Sequence, residues 1–284
     1  MSKKHHAEPS SLGELAAGHV KGSIEGLRRL VSPHPSVRHI IDVVERLKAR
    51  PYATNAVLGG EPGTGKEGLA HTLHELMHPE GDAPIVSVST AGRDEAEVAA
   101  ELFGRAPQHK GDRPTDGAVV EADGGTLVLD EVIGLSASLQ RRLLDLVRRG
   151  IYRRVGEERE RRVAVNVFVI TDGNLRAEVT AGRFRHDLYH KLARLDLVLP
   201  PLRERPEDIQ SAAQWMMKKV LVDRGRPAEA TLGDDALVAL RAHRWPGNFR
   251  ELEVVIERAL LLYSADGKTV TAADVQRALA DPHV

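Results

Sequence analysis

One octapeptide constrains this chain more than any other feature. Gly60-Glu61-Pro62-Gly63-Thr64-Gly65-Lys66-Glu67 has the form G-x-x-x-x-G-K, follows an apolar run and precedes the helical pattern Leu69-Ala70-His71-Thr72-Leu73. At a strand-to-helix junction this pattern is a phosphate-binding loop. Its glycines let backbone N–H groups wrap an anion without Cβ interference, and the helix N-terminus adds partial positive charge. Lys66 supplies a point charge for the β- and γ-phosphates of a nucleotide. Glu67 stands where the general motif places Ser or Thr for Mg2+.

Such a loop belongs in an α/β sheet, and the periodicity agrees. Apolar runs at 52–58, 85–88, 126–129, 163–170 and 195–199 alternate with helical stretches. Their lengths and Val/Ile/Leu content suit buried parallel strands with helices on both faces. After Pro200-Pro201 the strand-like runs stop, and helical patterns follow at 206–222, 235–243, 248–263 and 271–280. The expected organisation is a flexible or helical lead-in over 1–30, with a weak amphipathic stretch at 12–30, then a nucleotide-binding core over 31–200 and a helical lid over 201–284. Aromatic residues are 4% of the chain, so the core must come from Leu, Val, Ile and Ala.

A second chemical signal is Gly124-Gly125-Thr126-Leu127-Val128-Leu129-Asp130-Glu131, an apolar strand ending in two acids. A phosphate-loop enzyme needs a strand-end carboxylate to hold Mg2+, which assigns Asp130. Glu131 beside it can polarise an attacking water as a general base.

Composition excludes several alternatives. With no cysteine, disulfides, thiolate zinc sites and a Cys nucleophile are ruled out. The 40 basic and 41 acidic side chains nearly cancel, against a general nucleic-acid footprint. No apolar run reaches the roughly 20 residues of a membrane helix, and the N-terminus has no apolar signal core. The expectation is a cytoplasmic protein without membrane contact.

Taken together, the strings GEPGTGKE, ELFG (101–104), ADGGTLVLDE (122–131), LQRRLLDLVRRGIYRRVG (139–156), GRFRHDLYHKL (182–192), LPPLRERPEDI (199–209) and WPGNFRELE (245–253) resemble the AAA+ domain of bacterial enhancer-binding proteins. These are the ATPases that activate sigma-54 RNA polymerase. The resemblance implies a five-stranded parallel sheet with a helical lid, ATP and Mg2+ as ligands, and a ring, commonly a hexamer, with ATP between subunits. Glu67 is normal in that family. Asp130 and Glu131 match its metal and water-activating positions, and Thr171 its γ-phosphate sensor. Asp172 follows where a neutral polar residue is usual. Arg250 matches the lid's second sensor, and Arg185 the first arginine finger.

The residues around Arg250 support that match. Asn248 reads as an N-cap with Glu251 completing a capping box, and Phe249, Leu252, Ile256 and Ala259 as the buried stripe. Arg250 then sits in the first helical turn, where the macrodipole disfavours a cation and a phosphate partner would explain it.

Three departures bear on function. The GAFTGA loop that touches sigma-54 is replaced by RAPQHKGDRPTDG at 105–117, without the Phe. Ser89 stands where the family has an Asn that holds the catalytic Glu. Lys191 occupies the second finger position, where it cannot offer a planar fork. His71, His74 and His78 share a helix face and read as a hydrogen-bonded face rather than a metal site. The basic run 141–154 reads as a solvated face balanced by the acids at 157–160, with a ring interface or nucleic-acid surface as the alternatives. No DNA-binding helix-turn-helix follows the lid in this chain. The expected function is ATP binding and hydrolysis in a self-assembled ring, regulating transcription through a protein partner other than sigma-54. The alternatives are a nucleotide-regulated assembly module with weak hydrolysis and a remodelling ATPase outside transcription.

Overall fold

The computed structural model describes residues 32–107 and 113–281, so the amphipathic stretch at 12–30 and the centre of the 105–117 segment lie outside the described residues. Five strands form one parallel sheet: β1 Ala56–Gly59, β2 Ile85–Ser89, β3 Thr126–Asp130, β4 Asn166–Thr171 and β5 Leu195–Val198, in the order β2-β3-β4-β1-β5. Alternate residues serve opposite faces, as the two-residue period of a strand requires. Val57, Val88, Leu127, Leu129, Val167 and Val169 pack on one side with helices α3 (Glu95–Phe103), α4 (Ala137–Arg149), α5 (Leu175–Thr180) and α6 (His186–Leu192). Leu58, Val128, Phe168, Ile170 and Leu197 pack on the other with α1 (Pro35–Ala49) and α2 (Lys66–Met77). Each such side chain, fully buried, contributes roughly 1.5–3 kcal/mol relative to exposure.

Two strands begin later than the apolar runs suggest. At β1, Asn55 intervenes: its Oδ1 accepts the Val167 N–H (2.8 Å) and its Nδ2 donates to the Lys191 carbonyl (3.1 Å). Before β4, the Val163 N–H donates to Gly150 (3.0 Å), tying it to the turn after α4 instead of the sheet.

Beyond β5 the chain is mainly helical: α7 Asp208–Asp223, α8 Asp234–Ala242, α9 Asn248–Arg258 with a π-turn over Ala259–Tyr263, and α10 Ala272–Ala280. They enclose a separate apolar cluster around Trp245, which is fully buried and donates its indole N–H to the Leu240 carbonyl (2.8 Å). Three arginines of the basic run pair with acids, Arg149 and Arg153 with Glu160 and Arg154 with Asp116.

The histidine face is bonded, not metal-shaped. His74 is buried with Nδ1 2.8 Å from Thr126 Oγ1, and His78 Nε2 lies 3.3 Å from Asn166 Nδ2. Among the described residues no three metal-ligating groups cluster. Desolvation, then the neighbouring His78, lowers the His74 pKa from 6.5 to about 4. The unfolded chain therefore takes up a proton at a pH where the folded one does not. This neutral His stabilises fully above pH 6.5, and its contribution is lost as pH falls towards 4. Urea melts at pH 7.5 and 4.5 should show an acid-side loss of up to ~3 kcal/mol that shrinks in His74→Gln. Equal pH slopes in the two proteins would remove His74 as the cause.

Candidate nucleotide site

The register puts Gly59 beside Thr171 and Asp130 beside Ile170, so the loops after β1, β3 and β4 leave the sheet at the same edge. That C-terminal edge is where open α/β sheets bind ligands. The loop after β1 turns at Gly60, Gly63 and Gly65, with φ of 148°, 76° and 101°. A Cβ at Gly60 would lie 2.6 Å from the Leu199 carbonyl, and one at Gly63 would lie 2.3 Å from that of Gly247. Only glycine fits either place.

The lid grips the carbonyl side of this loop. Asn248 Nδ2 donates to Pro62 (2.9 Å), the Phe249 N–H to Gly63 (2.9 Å) and Arg205 Nη2 to Thr64 (2.8 Å). Three successive carbonyls are thus engaged. Among the described residues the N–H groups of Gly63, Gly65, Lys66 and Glu67 have no backbone carbonyl partner. These unpaired donors at the start of α2 fit a polyphosphate.

Asn248 is therefore not the side-chain cap that its sequence suggested. It is fully buried at φ 52°, and its Oδ1 accepts the Leu202 N–H (2.7 Å). Glu251 does reach back, but to the Gly247 N–H (2.8 Å). Long-range partners outcompete the local cap. Arg205 is also fully buried, with its guanidinium 4.6 Å from the Phe249 ring centre and 3.9 Å from Asp208. Burial lowers its pKa to about 10, which still leaves it cationic at neutral pH. Arg203 holds Glu61 in a bidentate pair (2.6 and 2.8 Å), and this hydrogen bonding keeps the Glu61 carboxyl down at about 2.

Lys66 is buried, and its Nζ donates to the Gly60 and Glu61 carbonyls (2.8 Å each) and to Asp172 Oδ1 (2.6 Å). Asp130 has its carboxyl raised by desolvation first, then by Glu67 and Asp172, opposed by Lys66 and Arg250. The acids, the lysine and the lid arginine thus share one field. Desolvated and flanked by acids, the Asp130 carboxyl has the environment that a divalent cation would stabilise. Arg250 is exposed beside the loop, its Cβ 3.1 Å from where a Gly63 Cβ would sit.

Glu131 adopts a left-handed backbone (φ 60°), which costs a non-glycine residue about 1–3 kcal/mol and needs support. The Glu131 N–H donates to Ile170 (3.0 Å), and the Thr90 hydroxyl donates to the carbonyls of Asp130 and Glu131. Its Oε1 accepts the Asp172 N–H (2.6 Å). Ser89, expected near this carboxylate, is exposed and makes no hydrogen bond to it among the described residues. Thr171 is buried, with its hydroxyl turned onto Gly173.

Arg185 and Lys191 do not join this cluster. The Arg185 guanidinium is held by Asp187 (2.7 and 2.9 Å), and the Arg185 backbone N–H donates to Gln140 Oε1 (2.8 Å). Buried Gln140 also donates to Leu135 and Arg183, pinning the segment before α6. Lys191 is half-buried and offers its carbonyl to Asn55. Sequence reasoning missed Arg203, Arg205 and Gln140 as supports, although all three fall in the strings that carried the resemblance. A cavity of about 610 Å3 beside the loop is lined in part by Gly60, Asp172, Asn174, Val198, Leu199 and Pro201.

A five-stranded parallel sheet in this order, a phosphate loop at its edge and a helical lid gripping that loop define an AAA+ P-loop domain. The chain belongs to the sigma-54 activator family: residues 30–198 match the Sigma-54 interaction domain, and 203–283 match the AAA+ ATPase lid domain. It is 38% identical over 252 residues to the Nif-specific regulatory protein of Azotobacter vinelandii, covering 87% of this chain and 46% of that protein. It is 35% identical over 275 residues to the response regulator protein FleR of Pseudomonas aeruginosa, covering 94% and 56%. NtrX from Brucella abortus has a similar structure in complex with ADP, with a TM-score of 0.74 and 31% identity over 92% of this chain and 57% of that one. The NtrX complex with ATP gives the same TM-score at 30% identity. The chain spans about half the length of these relatives. Among the described residues no helix is long and apolar enough to cross a membrane.

Proposed function

We propose that this chain binds and hydrolyses Mg·ATP as one subunit of a ring, a hexamer by family analogy, and acts in the cytoplasm to regulate transcription. The observation that carries the reading is the meeting of Lys66, Asp130, Glu131 and Arg250 at one sheet edge, under a loop whose free N–H groups face away from the lid's grip. The loop 60–67 cradles the phosphates, with Lys66 as the point charge. Asp130 would hold Mg2+, which when bound adds positive charge at the phosphate oxygens. Glu131 accepts the proton of the attacking water, its carboxylate aimed by the Asp172 N–H. Thr171 sits at the γ-phosphate end, and Arg250 brings the lid's charge to the same place. The Arg185 side chain, 39% exposed, makes no bond to its own phosphate loop among the described residues, which supports delivery to a neighbouring subunit's site. Lys191 adds charge at the second finger position.

The family match speaks for sigma-54 as the partner, and the comparisons lend no support to another one. The reading of a different partner rests on the sequence 105–117 alone, which offers no aromatic anchor where anchors dominate interface energy. One experiment tests assembly and partner together: light scattering of the purified chain with ATP or a transition-state mimic, with and without sigma-54. The expected outcome is nucleotide-promoted rings that do not shift on adding sigma-54. A chain that stays monomeric would remove the ring, and a co-migrating sigma-54 complex would restore the usual partner. The lysine at position 191 favours a second reading, an assembly module with weak hydrolysis. Rings without steady-state turnover would select it.

A further inference from the structure

The Lys66 ammonium has three N–H donors, and in this structure all three are used. Two go to the carbonyls of Gly60 and Glu61 within its own loop, and the third goes to Asp172 Oδ1 at 2.6 Å. A phosphate that takes Lys66 must displace one of them. The two carbonyls are fixed by the turn. The Asp172 side chain is the acceptor free to leave, being 44% exposed while Lys66 is 6% exposed. It is also the only acceptor of the three whose charge a phosphate repels. Its backbone has a separate duty, since the Asp172 N–H holds Glu131 Oε1 at 2.6 Å.

We propose that Asp172 is a specificity-determining residue of the nucleotide site: its carboxylate competes with the γ-phosphate for Lys66 and so weakens ATP binding relative to ADP. The inference rests on the reading of 60–67 as a nucleotide loop. A triphosphate brings more negative charge to this place than a diphosphate, so it loses more by the competition. The backbone role is independent of the side chain, so removing the carboxylate leaves Glu131 aimed.

The test is a titration of the full chain with fluorescent ATP and ADP analogues, using the parent, Asp172→Asn and Lys66→Ala. Asn keeps an acceptor of the same shape and loses the charge. The expected result is about ten-fold tighter ATP binding in Asp172→Asn and less than three-fold tighter ADP binding. Asp172→Ser, checked by thermal melting, should shift the same ATP-to-ADP ratio. Four outcomes are distinguishable. A ratio that moves as stated supports the inference. If the parent binds ATP, Lys66→Ala does not, and folded Asp172→Asn binds like the parent, only the inference falls. If Asp172→Asn binds Mg·ATP more weakly and needs more Mg2+, Asp172 is a metal ligand and the inference falls. If the parent binds neither nucleotide, the proposed function falls with it.

Discussion

Arg185→Ala should lower ATP turnover by about 10³-fold or more while nucleotide affinity stays near that of the parent. An arginine delivered to the transferring phosphoryl group is worth roughly 10³–10⁵ in related chemistry, because a preorganised guanidinium meets the charge that develops there. In this structure the side chain is 39% exposed and bonds Asp187, not the phosphate loop, while the bond to Gln140 comes from the backbone N–H, which the substitution keeps. Its loss should therefore spare both the fold and the subunit's own nucleotide site. Delivery to a neighbour makes a sharper claim. Arg185→Ala subunits mixed with Glu131→Gln subunits should recover hydrolysis, since some interfaces then hold an intact finger and an intact Glu131. Lys191→Arg should raise turnover by restoring a planar fork. Parent-like hydrolysis by Arg185→Ala, or mixed rings no more active than either variant alone, would make Arg185 a surface residue.

Lys66→Ala should weaken ATP binding by about 100-fold, read by titration with a fluorescent analogue. A hydrogen bond to a charged group contributes about 1.5–3 kcal/mol, or roughly ten- to a hundred-fold. The larger figure is expected because Lys66 opposes the raising of the Asp130 carboxyl and pairs Asp172. Without it, Glu67, Asp130 and Asp172 all face the phosphates with less opposing charge. The variant also leaves the Gly60 and Glu61 carbonyls without their side-chain donor, so a thermal melt should accompany the titration. Affinity equal to the parent's in a folded variant would remove the phosphate-loop reading.

Much of the architecture was legible in the sequence because its signals are local. The strands announce themselves as short β-branched runs, the helices by their spacing, and the loop by glycines at fixed intervals before a helix. Buried alternation such as Val57 against Leu58 follows from the pleat, whatever the neighbours are. The candidate Asp130, Glu131 and Lys66 were legible for the same reason, since each ends or begins an element whose type the sequence specifies. The two late strand starts were not, because Asn55 and Val163 take partners outside their own run.

Packing of the sheet and lid, not local sequence, selects which of two competing partners each of these polar side chains takes. Asn248 had the spacing of a local cap, but its amide donates to Pro62, 186 residues away in sequence. Asp172 read as a misplaced acid near phosphates, yet it pairs Lys66 across 106 residues, and its N–H rather than Ser89 holds Glu131. Sequence periodicity fixes which face a residue occupies, because backbone geometry repeats over a few residues. It is silent on hydrogen bonds between elements, because those depend on ångström-scale placement of strands and helices that meet only after the sheet and lid have packed.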